Sequence, residues 1–547
     1  MALEARRRTL SGSIRKVGSY SSRSREHSPT QEMKTLGRLF LSTLVVVASL
    51  MPTTPASASP IDWRDEAIYM VVTDRFRNGD ASNDLDSVPG KADWWQGGDL
   101  QGVIDELDYI KGLGMTAIWI TPVALQMRGG YHGYWTLDPY AIDPHLGTLS
   151  TLQELVRRAH EKGLKIVLDV VPNHLGTGHP WLTDGAHAGW FHPDCPINLA
   201  DQSSVENCWL AGLPDLNTEN PVVRAYLIDW ANWLVDGTGV DGFRVDAARH
   251  LSKDFLRAFT SGVRAKHPNF WMLGEVYSSG YRYQSGFLET GLDAVTDFQT
   301  YDSVRIGLDP RGNLGQLTTS PSLAADLGAG NADRRAIFID NHDVPRFVGR
   351  DAPDAATKTR LAQALVYLFT MPGTPVLYYG TEVALPGGPD PDDRRPMPWT
   401  GGDETVRQLV RDLATMRQAI PSLRRGSFDE LQTERGLVVY DRRGGPDVAV
   451  IAINGDEQRS VDVPLAKLGL DGGDVHRTVG SGIGGTIDGG TLHMTLAPRA
   501  AGIFVVGAAL RGFALPLVSM LLIAIALLVI AAAITVTRAR RRSLHRV

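Results

Sequence analysis

Between residues 60 and 400, short apolar runs alternate with segments whose apolar positions recur at helical spacing. The runs AIYMVV (67–72), TAIWIT (116–121), KIVLDVV (165–171), DGFRVD (241–246), FWMLGEV (270–276), AVTDFQ (294–299), RAIFIDN (335–341) and TPVLYYG (374–380) read as strands. LQGVIDELDYIKGLG and TLQELVRRAHEKGL between them read as amphipathic helices. Eight strands alternating with helices predict an α/β fold, a (β/α)8 barrel over 59–400. An open doubly wound sheet is disfavoured, because GxxxxGK[ST] does not occur and neither GxGxxG match, GTGVDG (237–242) nor GSGIGG (480–485), follows a predicted strand and opens a helix.

The alternation breaks in four places. After the third strand, 173–222 is irregular and rich in Gly, Pro, Asp, Trp and His. A loop that long inside a compact barrel predicts a small inserted domain. Beyond Trp399 a helix (ETVRQLVRDLATMRQAI) leads into GLVVYDRR, DVAVIAIN, RSVDVPL, TLHMTL and AGIFVVG, which predict a C-terminal antiparallel β-sandwich over 401–508. Residues 1–58 read as a leader. The stretch from Met33, MKTLGRLFLSTLVVVASLMPTTPASASP, has the basic start, apolar run and small residues of a secretory signal peptide, with cleavage expected after Ala58 and Met33 an alternative start to Met1. At the other end 513–536 is apolar and uncharged, long enough at about 1.5 Å per residue to cross a hydrocarbon layer of about 30 Å. The basic tail 537–547 follows it, so the positive-inside rule predicts a single-pass cell-membrane protein with its folded domains on the extracellular face.

The net charge of −6 is spread without a basic stripe, which argues against nucleic acid as a partner. Only two cysteines occur, and an exported context favours a Cys195–Cys208 disulfide over two free thiols. Zinc is disfavoured, since no His pair completes a site around them.

Charged residues gather where the predicted strands end. Asp169, Asn173 and His174 follow the third strand, Arg244 and Asp246 end the fourth, Glu275 ends the fifth, and His342 and Asp343 follow the seventh. Each alone has an ordinary structural explanation, but in a barrel these ends converge on one mouth. Three carboxylates with an arginine beside them suit glycoside hydrolysis, which needs a nucleophile, a proton donor and a group facing the oxocarbenium-like transition state. Trp94, Trp95, Tyr131, Tyr134, Trp135, Trp181, Trp190 and Trp209 offer flat faces near the loops, some for sugar rings and several for packing.

In order and spacing, DVVPNH (169–174), GFRVDAARH (242–250), GEV (274–276) and IDNHD (339–343) resemble four motif regions of the α-amylase family of glycoside hydrolases, family 13 type. LPDLN (213–217) resembles the additional motif of its inserted domain. WFHPDCPINLADQSSVENCWL is similar to secreted fungal-type α-amylases, in which the corresponding cysteines are paired. The resemblance implies Asp246 as nucleophile, Glu275 as general acid/base and Asp343 as transition-state stabiliser. It places Arg244, His342, His174 and His250 around the nucleophile and the sugar. It adds His132, Tyr134 and Trp135 from YHGYW, and Asp390 and Arg394 from GGPDPDDRR. Arg249 stands where the family often has Lys, in an acceptor-side contact.

The same resemblance implies calcium. Asn173, the Glu206 carbonyl, Asp215 and the His250 carbonyl match a structural site tying the inserted domain to the barrel. NGDASND (78–84) with GGD (97–99) resembles a second calcium loop of bacterial cyclodextrin-forming amylases, with Asn78, Asp80, Asn83, Asp84, the Gly97 carbonyl and Asp99 as ligands. A solvated Asx-rich turn is the other reading of that stretch. The expectation is a monomeric, calcium-dependent, retaining endo-hydrolase of α-1,4-glucans, with a cyclodextrin-degrading or transglycosylating relative as the alternative. A catalytically dead glucan-binding relative is disfavoured because all three carboxylates are present.

Overall fold

The computed structural model describes residues 61–278, 280–326 and 332–507. Its strands in chain order are β1 (Ile68–Val71), β2 (Ala117–Ile120), β3 (Ala124–Gln126), β4 (Thr136–Ile142), β5 (Lys165–Val170), β6 (Gly242–Val245), β7 (Trp271–Gly274), β8 (Ala294–Thr296), β9 (Arg335–Ile337) and β10 (Thr374–Tyr378). Six more follow: β11 (Ser427–Glu434), β12 (Leu437–Arg443), β13 (Asp447–Asn454), β14 (Arg459–Pro464), β15 (Asp474–Asp488) and β16 (Thr491–Gly507). Every predicted barrel strand is found. β1, β2, β5, β6, β7, β8, β9 and β10 pair in parallel in that order, and β10 closes on β1. Helices cover their outer face, so these strands are apolar on both sides: IYMV of β1 and AIWI of β2 are buried throughout. The helix Leu149–Glu161 shows how the outer layer is built. Thr148 and Thr151 cap it reciprocally, and Leu152, Leu155, Val156 and Ala159 form its buried stripe.

Two excursions from the barrel build the mouth. Between β2 and β5, the antiparallel pair β3–β4 carries the loop with His132, Tyr134 and Trp135. Between β5 and β6, the inserted segment is fixed to the barrel by the bridge His174↔Asp215 and closed on itself by Phe191↔Leu216. Cys195 and Cys208 form the expected disulfide there.

The C-terminal strands make an antiparallel sheet in the order β11-β12-β13-β16-β14, with β15 also pairing along β16. β13 is buried at every position because its two faces serve different cores. Ala449, Ile451 and Ile453 join the barrel's core, while Val448, Val450 and Ala452 meet Val461, Val463, Leu492 and Met494 in a second one. β11 and β15 have no counterpart in the predicted segments, since both are largely exposed and lack a regular apolar alternation.

The membrane topology requires correction. Among the described residues no helix is long and apolar enough to cross a membrane. The segment 513–536 and the tail 537–547 lie outside the described residues, as does the leader 1–58. The single-pass reading is therefore withdrawn.

Candidate active site

DGFRVDAARH puts a charged pair where a strand would ordinarily bury Val or Ile, and the structure supplies the counter-charges. Arg244 on β6 is 1% exposed. Its Nη1 donates to Asp169 on β5 at 3.0 Å and to Asp246, just past β6, at 2.5 Å; its Nη2 meets Glu275, just past β7, at 2.7 Å. Three neighbouring strands thus place one carboxylate each around a single guanidinium. Asp169 also accepts Trp119 Nε1 at 3.2 Å and the Tyr134 hydroxyl at 2.8 Å, so its oxygens are spent on holding the floor.

Tyr134 fixes a tautomer. Its hydroxyl proton goes to Asp169, so the 2.6 Å contact with His342 Nε2 requires that nitrogen to carry the hydrogen. Burial, with Arg244 and Arg394 nearby, depresses the His342 pKa well below its ordinary value, and the ring is neutral. Asp343 stands across the mouth, 3.5 Å from His342 Nε2 and 3.6 Å from Arg394 Nη2; Arg394 also pairs with Asp390 at 3.2 Å.

Burial pushes both Asp246 and Glu275 above the usual carboxylate range, with Arg244 opposing it. One guanidinium cannot neutralise three carboxylates, so the cluster holds its protons tightly. Glu275 is further fixed by the Ala247 amide, which donates to Oε2 at 2.9 Å. Ala247 itself is left-handed at φ 48°, a strained turn for a residue with a Cβ, directly after Asp246. These groups open onto a cleft of about 840 Å³ lined by Tyr131, His132, Tyr134, Trp135, Asp390 and Arg394 on one side. Leu199, Leu210, Leu213 and Tyr277 line it as well. Such a hollow accepts a chain of rings with hydroxyls at their edges.

Residues 70–407 match the alpha-amylase catalytic domain. The chain belongs to the alpha-amylase family. It is 35% identical over 461 residues to a beta/alpha-amylase of Paenibacillus polymyxa, covering 81% of this chain but only 38% of that enzyme's length. It is 31% identical to a cyclomaltodextrin glucanotransferase of Niallia circulans, over 85% of this chain and 72% of that one. Among solved structures, an Anoxybacillus alpha-amylase superposes with a TM-score of 0.77 at 38% identity, over 82% of this chain and 99% of the other. These similarities do not show the fungal-type closeness expected of the inserted domain.

The amylase-family residues predicted from sequence converge on the cleft, with differences in detail. His174 lines the cleft but is buried, its pKa lowered to about 4 by desolvation, and its Nε2 is buried without a partner. His250 lines the cleft while its Nδ1 turns to the Val205 carbonyl at 2.9 Å. Arg249 donates to the Tyr277 carbonyl at 2.5 Å and lies over Tyr283, so its head is engaged with the protein. Trp135 is 37% exposed at the rim. Sequence reasoning missed Tyr277, Leu199, Leu210 and Leu213 as lining residues; only Tyr277, two residues past Glu275, carried a positional signal.

The predicted calcium ligands also gather in part. Asn173 Nδ2 donates to Asp215 Oδ2 at 3.1 Å, and Asn173 Oδ1 is buried without a partner, an oxygen that a hard cation would take. Asp215 Oδ1 is held by His192 at 2.7 Å, and His192 reaches Glu219 at 3.0 Å. Sequence reasoning did not anticipate His192. In the second loop, Asn78 Nδ2 donates to Asp84 at 2.7 Å beside Gly97, and Asn83 Oδ1 is buried and unpartnered. Asp99 instead caps the helix Leu100–Asp105, accepting the Gly102, Asp80 and Gly79 amides. Asp80 closes an Asx turn on Ser82. Among the described residues no group of three His, Cys, Asp or Glu side chains is disposed to hold a metal ion, so either site would lean on amide and carbonyl oxygens.

Proposed function

We propose that this protein is a retaining, endo-acting hydrolase of α-1,4-glucosidic bonds in starch-like glucans. The observation that carries the reading is the Arg244 guanidinium holding Asp246 and Glu275 together on adjacent strands at the floor of a ring-lined cleft. Asp246, in the form ionised against Arg244, attacks the anomeric carbon while Glu275, in the form that keeps its proton, protonates the departing glycosidic oxygen. A covalent glycosyl-enzyme forms, and Glu275, now a base, draws a proton from the water that cleaves it. Two carboxylates on one guanidinium suit the separation of about 5–5.5 Å that retention needs. Asp343 faces the developing positive charge, and His342, neutral with its Nε2 hydrogen on the Tyr134 hydroxyl, holds that ring in place. Tyr134 supplies a stacking ring, and Arg394 with Asp390 grips the chain at the far end.

Asn173, Asp215 and the carbonyls of Glu206 and His250 would hold a calcium ion that fastens the inserted segment to the barrel; the buried, unpartnered Asn173 Oδ1 supports this. Of the second set, Asn78, Asn83, Asp84 and the Gly97 carbonyl are the weaker candidates for an ion, since Asp80 and Asp99 accept backbone amides.

A product time-course on amylose, pullulan and cyclodextrin, with the anomer followed by NMR, tests the reading. Early mixed-length α-anomeric products from amylose are expected; β-anomers would overturn retention. The alternative, cyclodextrin degradation or glucan transfer, draws support from the similarity to a glucanotransferase and from Tyr277, which is 49% exposed at the cleft. Faster turnover of cyclodextrin than amylose would decide for it.

A further inference from the structure

A second cavity, of about 400 Å³, opens at the seam between the barrel and the C-terminal sheet and shares no lining residue with the catalytic cleft. Its walls come from both sides. The barrel contributes residues 307–312 with Leu314, and Arg360 and Gln363 of the helix Ala355–Thr370; the sheet contributes the β11–β12 turn, the β13–β14 turn and Arg499. Five arginines face three acids, Asp309, Asp456 and Glu457.

Pairing uses up only part of that charge. Arg499 Nε donates to Asp456 at 2.6 Å, and Arg459 is held by Glu434 at 2.9 Å and Glu457 at 3.5 Å. Arg360 donates to the Thr357 hydroxyl at 2.9 Å. Among the described residues Arg311, Arg360 and Arg435 make no ion pair within 4.0 Å, though, after the Thr357 amide, Arg360 and Arg499 help to lower the pKa of exposed Asp354, and each of the three lines the same hollow from a different segment. Arg459 Nε is buried without a partner, and Arg499 holds a left-handed backbone at φ 58°. A Cβ on Gly436 would stand 3.3 Å from Arg459 Nη2, so the bare glycine lets the turn approach that guanidinium.

The lining decides the ligand class. No aromatic ring faces the cavity, so it offers a sugar no stacking surface. It offers planar N–H forks, which match paired anionic oxygens. A carboxylate has two oxygens, whereas a phosphate group can meet three guanidinium groups from three segments at once. We propose that the seam cavity is an anion site for a phosphate group, free or carried as a monoester on a glucan chain, bound by Arg311, Arg360 and Arg435 and bridging barrel and sheet.

The test compares the full-length chain with an Arg311→Gln/Arg435→Gln variant, in inorganic phosphate and in chloride of equal ionic strength. A ligand that binds only the folded state raises its melting temperature, so phosphate should raise that of the wild type above its value in chloride. Each substitution removes a charge-assisted contact and should weaken phosphate binding about tenfold, which removes the shift in the double variant. Neither arginine is in an ion pair, and the single Arg360→Gln variant provides an independent copy of the loss. Phosphorylated and phosphatase-treated starch, in co-sedimentation with and without competing phosphate, separate the two sources. Stronger retention on the phosphorylated form points to the monoester; equal retention beside a saturable phosphate shift points to the free ion. Equal melting shifts in wild type and double variant, or equal effects of phosphate and chloride, would overturn the proposal.

Discussion

At the scale of the residue, the governing fact is that Asp169, Asp246 and Glu275 share one positive charge. In the proposed mechanism Asp246 and Glu275 each form or break a bond, so Asp246→Asn and Glu275→Gln should each lower kcat by at least about 10³-fold. The fold should survive. In the native protein the raised pKa of Glu275 means that the folded state holds its proton more tightly than the unfolded chain does. Its contribution to stability is therefore greatest at low pH and is lost as pH rises through the folded pKa. Glu275→Gln should accordingly melt no lower than wild type at pH 7, and a marked drop by differential scanning calorimetry would contradict the assignment. The same shifts shape activity. The proposed reaction needs Glu275 protonated and Asp246 ionised, so kcat/KM should fall on both sides of an optimum. Burial should carry the acid limb above the ordinary aspartate value of about 3.9. A profile flat down to pH 4 would refute this.

At the scale of the element, the inserted segment has little core of its own and depends on cross-links. The Cys195–Cys208 bond closes a loop with a sequence separation of 13, worth about 3 kcal/mol in the chain-entropy account. Ile197 and Leu199 lie within that loop and line the cleft. Replacing both cysteines with Ser should lower the melting temperature and raise KM for long glucans more than it lowers kcat, as read from steady-state kinetics. If calcium joins Asn173 and Asp215, excess EDTA should lower both melting temperature and activity, and Asp215→Ala should mimic it. An unchanged melting curve, with no calcium found by metal analysis, would count against the site.

At the scale of the whole molecule, the barrel, the helices that follow it and the sheet are tied by buried arginines that face carbonyls instead of carboxylates. Arg417, fully buried on the helix Glu404–Ala419, donates to the carbonyls of Phe369, Met371, Leu423, Arg64 and Gly373. Arg442 on β12 likewise reaches Thr370, Ser427 and Gly426. Arg417→Met keeps the stem but strands several carbonyls away from water, and should cost about 3–5 kcal/mol in urea unfolding. The pH profile of activity should stay in place, since no cleft residue contacts Arg417; a shifted profile would show coupling that the structure does not contain.

The linear sequence determined the barrel and the family it belongs to. All eight strands and two helical stretches between them, 100–114 and 151–164, were legible because hydrophobic period is a local property of the chain. The carboxylates were legible because barrel geometry sends every strand end to one mouth. What only the tertiary structure decided depends on partners remote in sequence. β15 is a strand because β16 lies beside it, not because Gly-rich DVHRTVGSGIGGTID favours one. Asp99 spends its oxygens on backbone amides, His192 sits on Asp215, and Leu199 and Tyr277 meet at one cleft. The sharing of Arg244 among three carboxylates, which sets their protonation, is likewise a fact of packing. Charge and burial act through space at a few ångströms, and residues that are close in space can be distant in the chain.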